Sequence, residues 1–151
     1  MSSLSEDRWM RLALDDARSA GVAGDVPVGA VIVRGEEVIA RAANRTARDM
    51  DPTAHAELLA IREAARKVGD WRLTGCTLFV TLEPCAMCAG AIVLARLDRV
   101  VFGAFDDKAG MAGSVGDLLR HPKLNHRPEV QAGVLGTEAG KLLAEFFRDR
   151  R

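Results

Sequence analysis

The sequence has no excess of either charge. Its 21 Lys and Arg balance 21 Asp and Glu, so the chain as a whole does not advertise a polyanionic partner. No apolar run approaches the roughly 18 residues that a membrane span requires, and no membrane contact is expected. Met1 to Asp7 has neither a basic n-region nor an apolar h-region, so no secretory signal is read there and the expected compartment is the cytoplasm. Cysteine is scarce: three in all, two of them in one C-x-x-C. That is too few for a disulfide framework and suits a reducing compartment and a metal site. There is also no internal repeat, low-complexity tract or linker. What is present is an ordinary globular composition, 48% apolar and 28% charged, over 151 residues. One domain spanning 1–151 is expected, long enough to bury a full core.

The charge that exists is unevenly placed. Arg120 to Arg127 holds Arg120, Lys123, Arg127 and two histidines with no acid, and the end of the chain sets Arg148, Arg150 and Arg151 against Asp149. Along the chain, Ser3 and Glu6 have capping-box spacing ahead of Trp9, Leu12, Ala13, Ala17 and Ala20, which predicts a helix up to Gly21. Val28 to Val33 and Val38 to Ala42 flank a Gly-containing turn and predict a hairpin. Asp51-Pro52-Thr53 has the form of a helix start, continued by Leu58, Ile61, Ala65 and Val68 until Gly69. Thr77 to Leu82 and Arg99 to Gly103 have the composition of buried strands, and Cys85 to Arg96 lies between them as a helix. A Gly-rich loop from Asp106 to Gly116, a short helical piece near Leu118, an edge strand around Glu129 to Ala132 and a helix capped by Thr137 complete the reading. Strands alternating with helices predict an α/β sandwich with a mixed sheet covered on both faces.

Two short motifs carry chemistry: His55-Ala56-Glu57 and Pro84-Cys85-Ala86-Met87-Cys88. One imidazole and two thiolates are the ligand types that Zn²⁺ favours, and three protein ligands leave the fourth tetrahedral position open, as in catalytic sites. Residues two apart on a helix point in nearly opposite directions, so His55 and Glu57 can share a site only at the start of a helix. Cys85 and Cys88 share a face anywhere. At two helix N-termini, the positive dipole ends would favour the thiolates. Glu57 is close enough to reach whatever fills the open position without being a ligand.

Other readings stand beside this one. Cys85 and Cys88 form a redox pair; or His121 or His126 completes a structural zinc site; or these are core and surface residues without a metal. Cys76 reads as a small buried apolar residue, Asn44 as a turn former, and Phe146 and Phe147 as the apolar face of the last helix.

The paired motifs resemble the H-x-E…P-C-x-x-C signature of zinc nucleobase deaminases. Longer stretches narrow the resemblance: 26–31, 51–57, 81–91, 99–104, Gly113-Ser114, Asn125-His126-Arg127 and the Phe146-Phe147-Arg148 end. Through them the chain resembles the bacterial tRNA-specific adenosine deaminases. That resemblance implies a cytidine-deaminase-like three-layer α/β/α sandwich with a five-stranded mixed sheet, one Zn²⁺ per chain on His55, Cys85 and Cys88, and a homodimer. It also implies that Glu57 is the catalytic acid–base in hydrolysis of adenosine to inosine at the wobble position of a tRNA anticodon stem-loop, with the adenine flipped out and attacked at C6. Asn44 matches a residue that touches the target base and Asp106 one near its ribose; Arg148 and Arg150 are expected to meet RNA. Phe105 is apolar where a polar residue is common, and Met111 is bulkier than usual. Two rival activities remain open: deamination of a free base or nucleoside, and a zinc-stabilised binding module without turnover.

Overall fold

A computed structural model describes residues 3–150, with side chains from residue 6 onward. The elements run α1 (Ser3–Val22), β1 (Gly29–Arg34), β2 (Glu37–Ala43), α2 (Ala56–Val68), β3 (Cys76–Leu82), α3 (Ala86–Leu94), β4 (Arg99–Ala104), β5 (Glu129–Gln131) and α4 (Gly136–Asp149). The five strands form one mixed sheet in the order β2-β1-β3-β4-β5. β1 is antiparallel to both β2 and β3, whereas β3, β4 and β5 are mutually parallel. This is the α/β fold expected from the alternating elements.

Strand alternation sorts the core. Ala30, Ile32, Leu78, Val80, Val100 and Phe102 belong to one buried cluster with the Ala56–Ala60–Ala64 stripe of α2 and with Ala89, Ile92 and Val93 of α3. Val31, Val33, Phe79 and Val101 belong to the other, against Met10 and Ala13 of α1. α4 shares that second face, because a Cβ on Gly103 would stand 3.2 Å from the Ala139 Cβ. α1 lies directly over β1 at Gly29, where an added Cβ would stand 2.0 Å from the Ala13 carbonyl oxygen.

Several boundaries differ from expectation, each for a local reason. Asp51 does not open α2: its Oδ1 accepts hydrogen bonds from the Thr53 amide (2.9 Å) and hydroxyl (2.7 Å), a self-contained turn. The helix begins at Ala56 with His55 as N-cap, and ends at Gly69 in the left-handed conformation. The stretch near Leu118 is a set of turns closed by an Ala112–Asp117 bridge, not a helix. Thr137 is not the cap of α4; left-handed Leu135 is. The side chain of Ser3 lies outside the described residues, as does Arg151.

Ala89, Ile92 and Val93, which look surplus to one sheet face in the sequence, are at most 6% exposed and are consumed by the protomer's own core. Leu58, Ile61, Ala65, Ala91 and Leu94, with Trp71 from the loop after α2, line an outer apolar surface beside α2 and α3, where Leu94 is 70% exposed.

Gly29→Ala should drive a methyl into backbone that cannot step aside. We expect a loss of about 1–3 kcal/mol, and roughly 2–4 °C of thermal midpoint per kcal/mol for a chain of this size. A thermal melt matching the parent's would mean that α1 is not anchored on β1 as described.

Candidate active site

The functional side chains gather where the parallel strands end. β3 runs out through Glu83 and Pro84 into Cys85, and β4 runs out into Phe105 and Asp106, so the loops after two parallel strands meet at one end of the sheet. The Glu83 amide donates to the Ala104 carbonyl at 2.9 Å and prolongs that pairing by one step. From the antiparallel side, the segment before β1 and the loop after β2 arrive at the same end with Val26, Val28 and Asn44. Together they surround a cavity of about 220 Å³ that also exposes His55, Glu57 and Cys85.

His55 and Cys85 are both N-caps, with extended backbone (φ −77°, ψ 150° and φ −77°, ψ 179°), and neither side chain caps its helix. A Ser or Asp in these places would turn back to bond a first-turn amide. His and Cys project away instead, so two helix starts aim their side chains at each other. His55 Nδ1 lies 3.6 Å from Cys85 Sγ and 3.5 Å from Cys88 Sγ, and the three ligand atoms are within 4.8 Å of one another. A tetrahedral ion bonded at about 2.05 Å to nitrogen and about 2.3 Å to sulfur keeps those atoms roughly 3.5 Å apart. The donor set therefore fits Zn²⁺ in both chemistry and spacing. Glu57 is not in this set. It is buried in the first turn of α2 and lines the same cavity.

The three groups also depend on one another electrically. A hydrogen bond from Cys88, aided by His55, holds the Cys85 thiol down to about 3. The same Cys85 partner, with burial, pushes the Cys88 thiol far up, and Cys85 raises the His55 imidazole. A metal ion held by these residues would require both thiols deprotonated, so binding it would release protons. Burial lifts Glu57 to about 7.

Asn44 is 5% exposed and fixed at both ends of its amide: Nδ2 donates to the Val26 carbonyl (3.1 Å) and Oδ1 accepts from the Thr46 amide (3.3 Å). One N–H remains for a ligand. Asp106 lines the cavity, and its Oδ1 accepts from the Lys108 and Ala109 amides, both at 3.1 Å. Arg148 and Arg150 are not among the cavity's lining residues. Arg148 is exposed beside Asp149 at 4.0 Å, and Arg150 stacks on Phe146 with its guanidinium carbon 3.9 Å from the ring centre. From α4 it is Phe147 and Leu143 that border a groove, lined also by Phe105, which shares Asp106 and Ala109 with the cavity. His121 accepts from the Lys123 amide and His126 sits 2.6 Å from the Leu97 carbonyl, so neither joins the ligand group. Arg120 is occupied by Asp117 and the Ala112 carbonyl.

Two buried carboxylates escape the sequence reading. Asp25, 1% exposed, accepts from the Ala47 amide and from Arg48, whose other nitrogen donates to the Asn44 carbonyl at 2.8 Å. Glu83, 2% exposed, gathers amides from the loop after β4. Burial raises both, but hydrogen bonds outweigh it (Arg48 and the Ala47 amide on Asp25; Ser114 and three backbone amides on Glu83), and both end below the ordinary carboxylate range. No charge run or motif spacing marks them. Only the packed loops reveal the role.

A family model for MafB19-like deaminases matches residues 4–151. The tRNA-specific adenosine deaminase of Bacillus subtilis (strain 168) is 49% identical over 146 residues, covering 97% of this chain and 91% of that protein. A solved structure from work on A-to-I editing by tRNA:A34 deaminases at the wobble position of transfer RNA superposes with a TM-score of 0.87. It is 46% identical and covers 90% of this chain and 99% of its own. Guanine deaminase from Nitrosomonas europaea is more distant, at 26% identity and a TM-score of 0.76, covering 93% of this chain and 83% of its own.

Asp25 and Glu83 make the acid limb of stability specific. A carboxylate whose folded value is depressed stabilises fully above its ordinary value, near 3.8 for Asp25, and the stabilisation is lost as pH falls through the folded value. In urea melts, the stability difference between the parent and Asp25→Asn should be flat from neutrality to about pH 5 and shrink below about pH 4. Asp25→Asn should be less stable at pH 7 and show a shallower acid fall. An unchanged acid slope in that variant would contradict the assignment.

Proposed function

The chain belongs to the tRNA-specific adenosine deaminases, and on that premise we propose that it hydrolyses adenosine to inosine at the wobble position of a tRNA anticodon, releasing ammonia. One observation carries the reading: the nitrogen and two sulfurs in zinc-ligand geometry, with a buried, non-ligating Glu57 on the same cavity. In this proposal His55, Cys85 and Cys88 hold one Zn²⁺ per chain, which as a Lewis acid lowers the proton affinity of a water in the open fourth position.

The steps belong to the protein's own residues. Glu57 accepts a proton from the attacking water and delivers it to purine N1 as the water oxygen adds to C6. It then carries a proton to the departing amine, so that ammonia leaves and the C6 carbonyl of inosine forms. A carboxylate shielded from bulk solvent returns protons to the substrate and does not lose them to water. Asn44, with its amide locked at both ends, offers its remaining N–H to the base. Asp106 faces the ribose side. The cavity holds about 220 Å³, smaller than the 300 Å³ and upwards common for drug-sized ligands, so it suits a single flipped base. A loop nucleotide reaches it at lower cost than a paired one.

Further parts of the proposal concern the assembly. The whole chain acts as one deaminase domain in the cytoplasm. It pairs as a homodimer through the outer apolar surface of α2 and α3, which includes Trp71 and Leu94. Arg148 and Arg150 contact RNA phosphates outside the cavity.

The test of the chemistry is Glu57→Ala. It should keep one zinc per chain and bind an anticodon stem-loop, yet lose inosine formation by at least about 10²- to 10⁴-fold. Parent-like turnover would overturn the role of Glu57, and loss of zinc would make it a ligand. Ammonia release from free guanine or adenosine, with none from the stem-loop, would move the chain to the free-base reading.

The test of the tail is a salt series. Replacing Arg148 and Arg150 with Ser should weaken stem-loop binding and flatten log Kd against log salt by about 0.7 per lost phosphate contact. An identical slope would remove the two arginines from the RNA surface.

A further inference from the structure

Glu83 is a buried carboxylate that the proposed chemistry leaves unused. It borders the cavity at 2% exposure. No Lys or Arg pairs with it among the described ion pairs. Its Oε1 accepts from the Asp106 amide at 2.9 Å and from the Ser114 hydroxyl, and its Oε2 accepts from the Ala112 and Ser114 amides, each at 3.0 Å. An uncompensated buried anion is costly, so it persists only where several donors converge on it. Here every donor comes from one loop, 106–114. The loop also packs flat on the carboxylate: a Cβ on Gly110 would stand 2.3 Å from Glu83 Cδ and 2.6 Å from the Asp106 carbonyl oxygen.

We propose that Glu83 is a positioning residue for substrate: by holding the Asp106 amide it sets the Asp106 carboxylate against the cavity, where that group takes the ribose of the target nucleotide. The proposal rests on the tRNA deaminase reading above. The geometry of Asp106 supports the division of labour. Its Oδ1 is committed to the Lys108 and Ala109 amides, while its Oδ2 is in no hydrogen bond among the described residues, which leaves one oxygen for a sugar hydroxyl. Glu83 thus acts at one remove. It fixes the backbone of a residue whose side chain has a single free acceptor.

Glu83→Gln separates this role from general loop support. A glutamine can keep its oxygen toward the Ala112 and Ser114 amides and turn its NH₂ to the Ser114 hydroxyl oxygen, which leaves only the Asp106 amide without an acceptor. If ribose contact is uniform binding, KM for an anticodon stem-loop should rise about tenfold with kcat within about twofold. Zinc should stay at one per chain. In an Asp106→Ala background the same change should add less than about twofold, because the residue it acts through is gone. A tenfold loss that persists in the Asp106→Ala background, or a fall in kcat at constant KM, would overturn the proposal. If Glu83→Gln does not yield folded protein, Gly110→Ala asks the same question with Glu83 intact. Its methyl displaces the carboxylate from the Asp106 amide, and the same KM rise and the same silence beside Asp106→Ala are expected. The parent's own inosine formation is measured alongside. Failure there removes the tRNA reading itself, whereas activity there with additive variants removes only the role of Glu83.

Discussion

The site depends on two helices that begin without using their caps. His55 and Cys85 occupy positions where a short oxygen side chain normally satisfies first-turn amides, yet their own side chains make no such bond and converge instead on Cys88. The sheet makes this convergence unavoidable. α2 packs its alanine stripe against one face while α3 returns from β3 to the parallel β4 on that same face, so both first turns open at the same end of the sheet. Small residues matter here, since Ala56, Ala60 and Ala64 let α2 lie close to the strands. A bulkier stripe would lift His55 away from the sulfurs.

Around that centre, two cavity loops are tied down by buried charge. Asp25 with Arg48 clamps the loop that carries Asn44, and Glu83 clamps the loop that carries Asp106. Cavities built from loops are imprecise unless their supports are rigid. Each clamp joins segments far apart in sequence and completes its hydrogen bonds entirely within the fold. The outer surface is treated differently. Trp71 and Leu94 stay exposed on the far side of α2 and α3, away from the cavity, so the proposed self-association and the proposed chemistry draw on separate residues.

Legibility followed the physics of each feature. The ligand set is readable because metal chemistry restricts residue type and spacing together, and the chain has only three histidines and three cysteines to assign. The strands are readable because β1, β3 and β4 are buried on both faces and therefore run largely apolar. The start of α2 is misread because Asp51-Pro52-Thr53 carries strong cap signals that are satisfied locally, one turn too early. The outward face of α3 is not readable because its apolar residues all look alike in sequence, whereas only packing shows that Ile92 and Val93 face inward and Leu94 outward. Asp25 and Glu83 are invisible because a lone acid before a strand or after one has the same spelling whether it is solvated or buried. Their partners, 22 to 31 residues away, exist only in the fold.

The central claim is a three-ligand centre with Glu57 beside it and not in it. X-ray absorption at the zinc edge of protein loaded with one equivalent of Zn²⁺ tests this directly, read beside the Glu57→Ala variant. The account predicts two sulfurs at about 2.3 Å and two light atoms near 2.0–2.1 Å, one from His55 and one from solvent, with the same shell in both proteins. A third sulfur, a second imidazole, or a light-atom shell that changes when Glu57 is removed would contradict it.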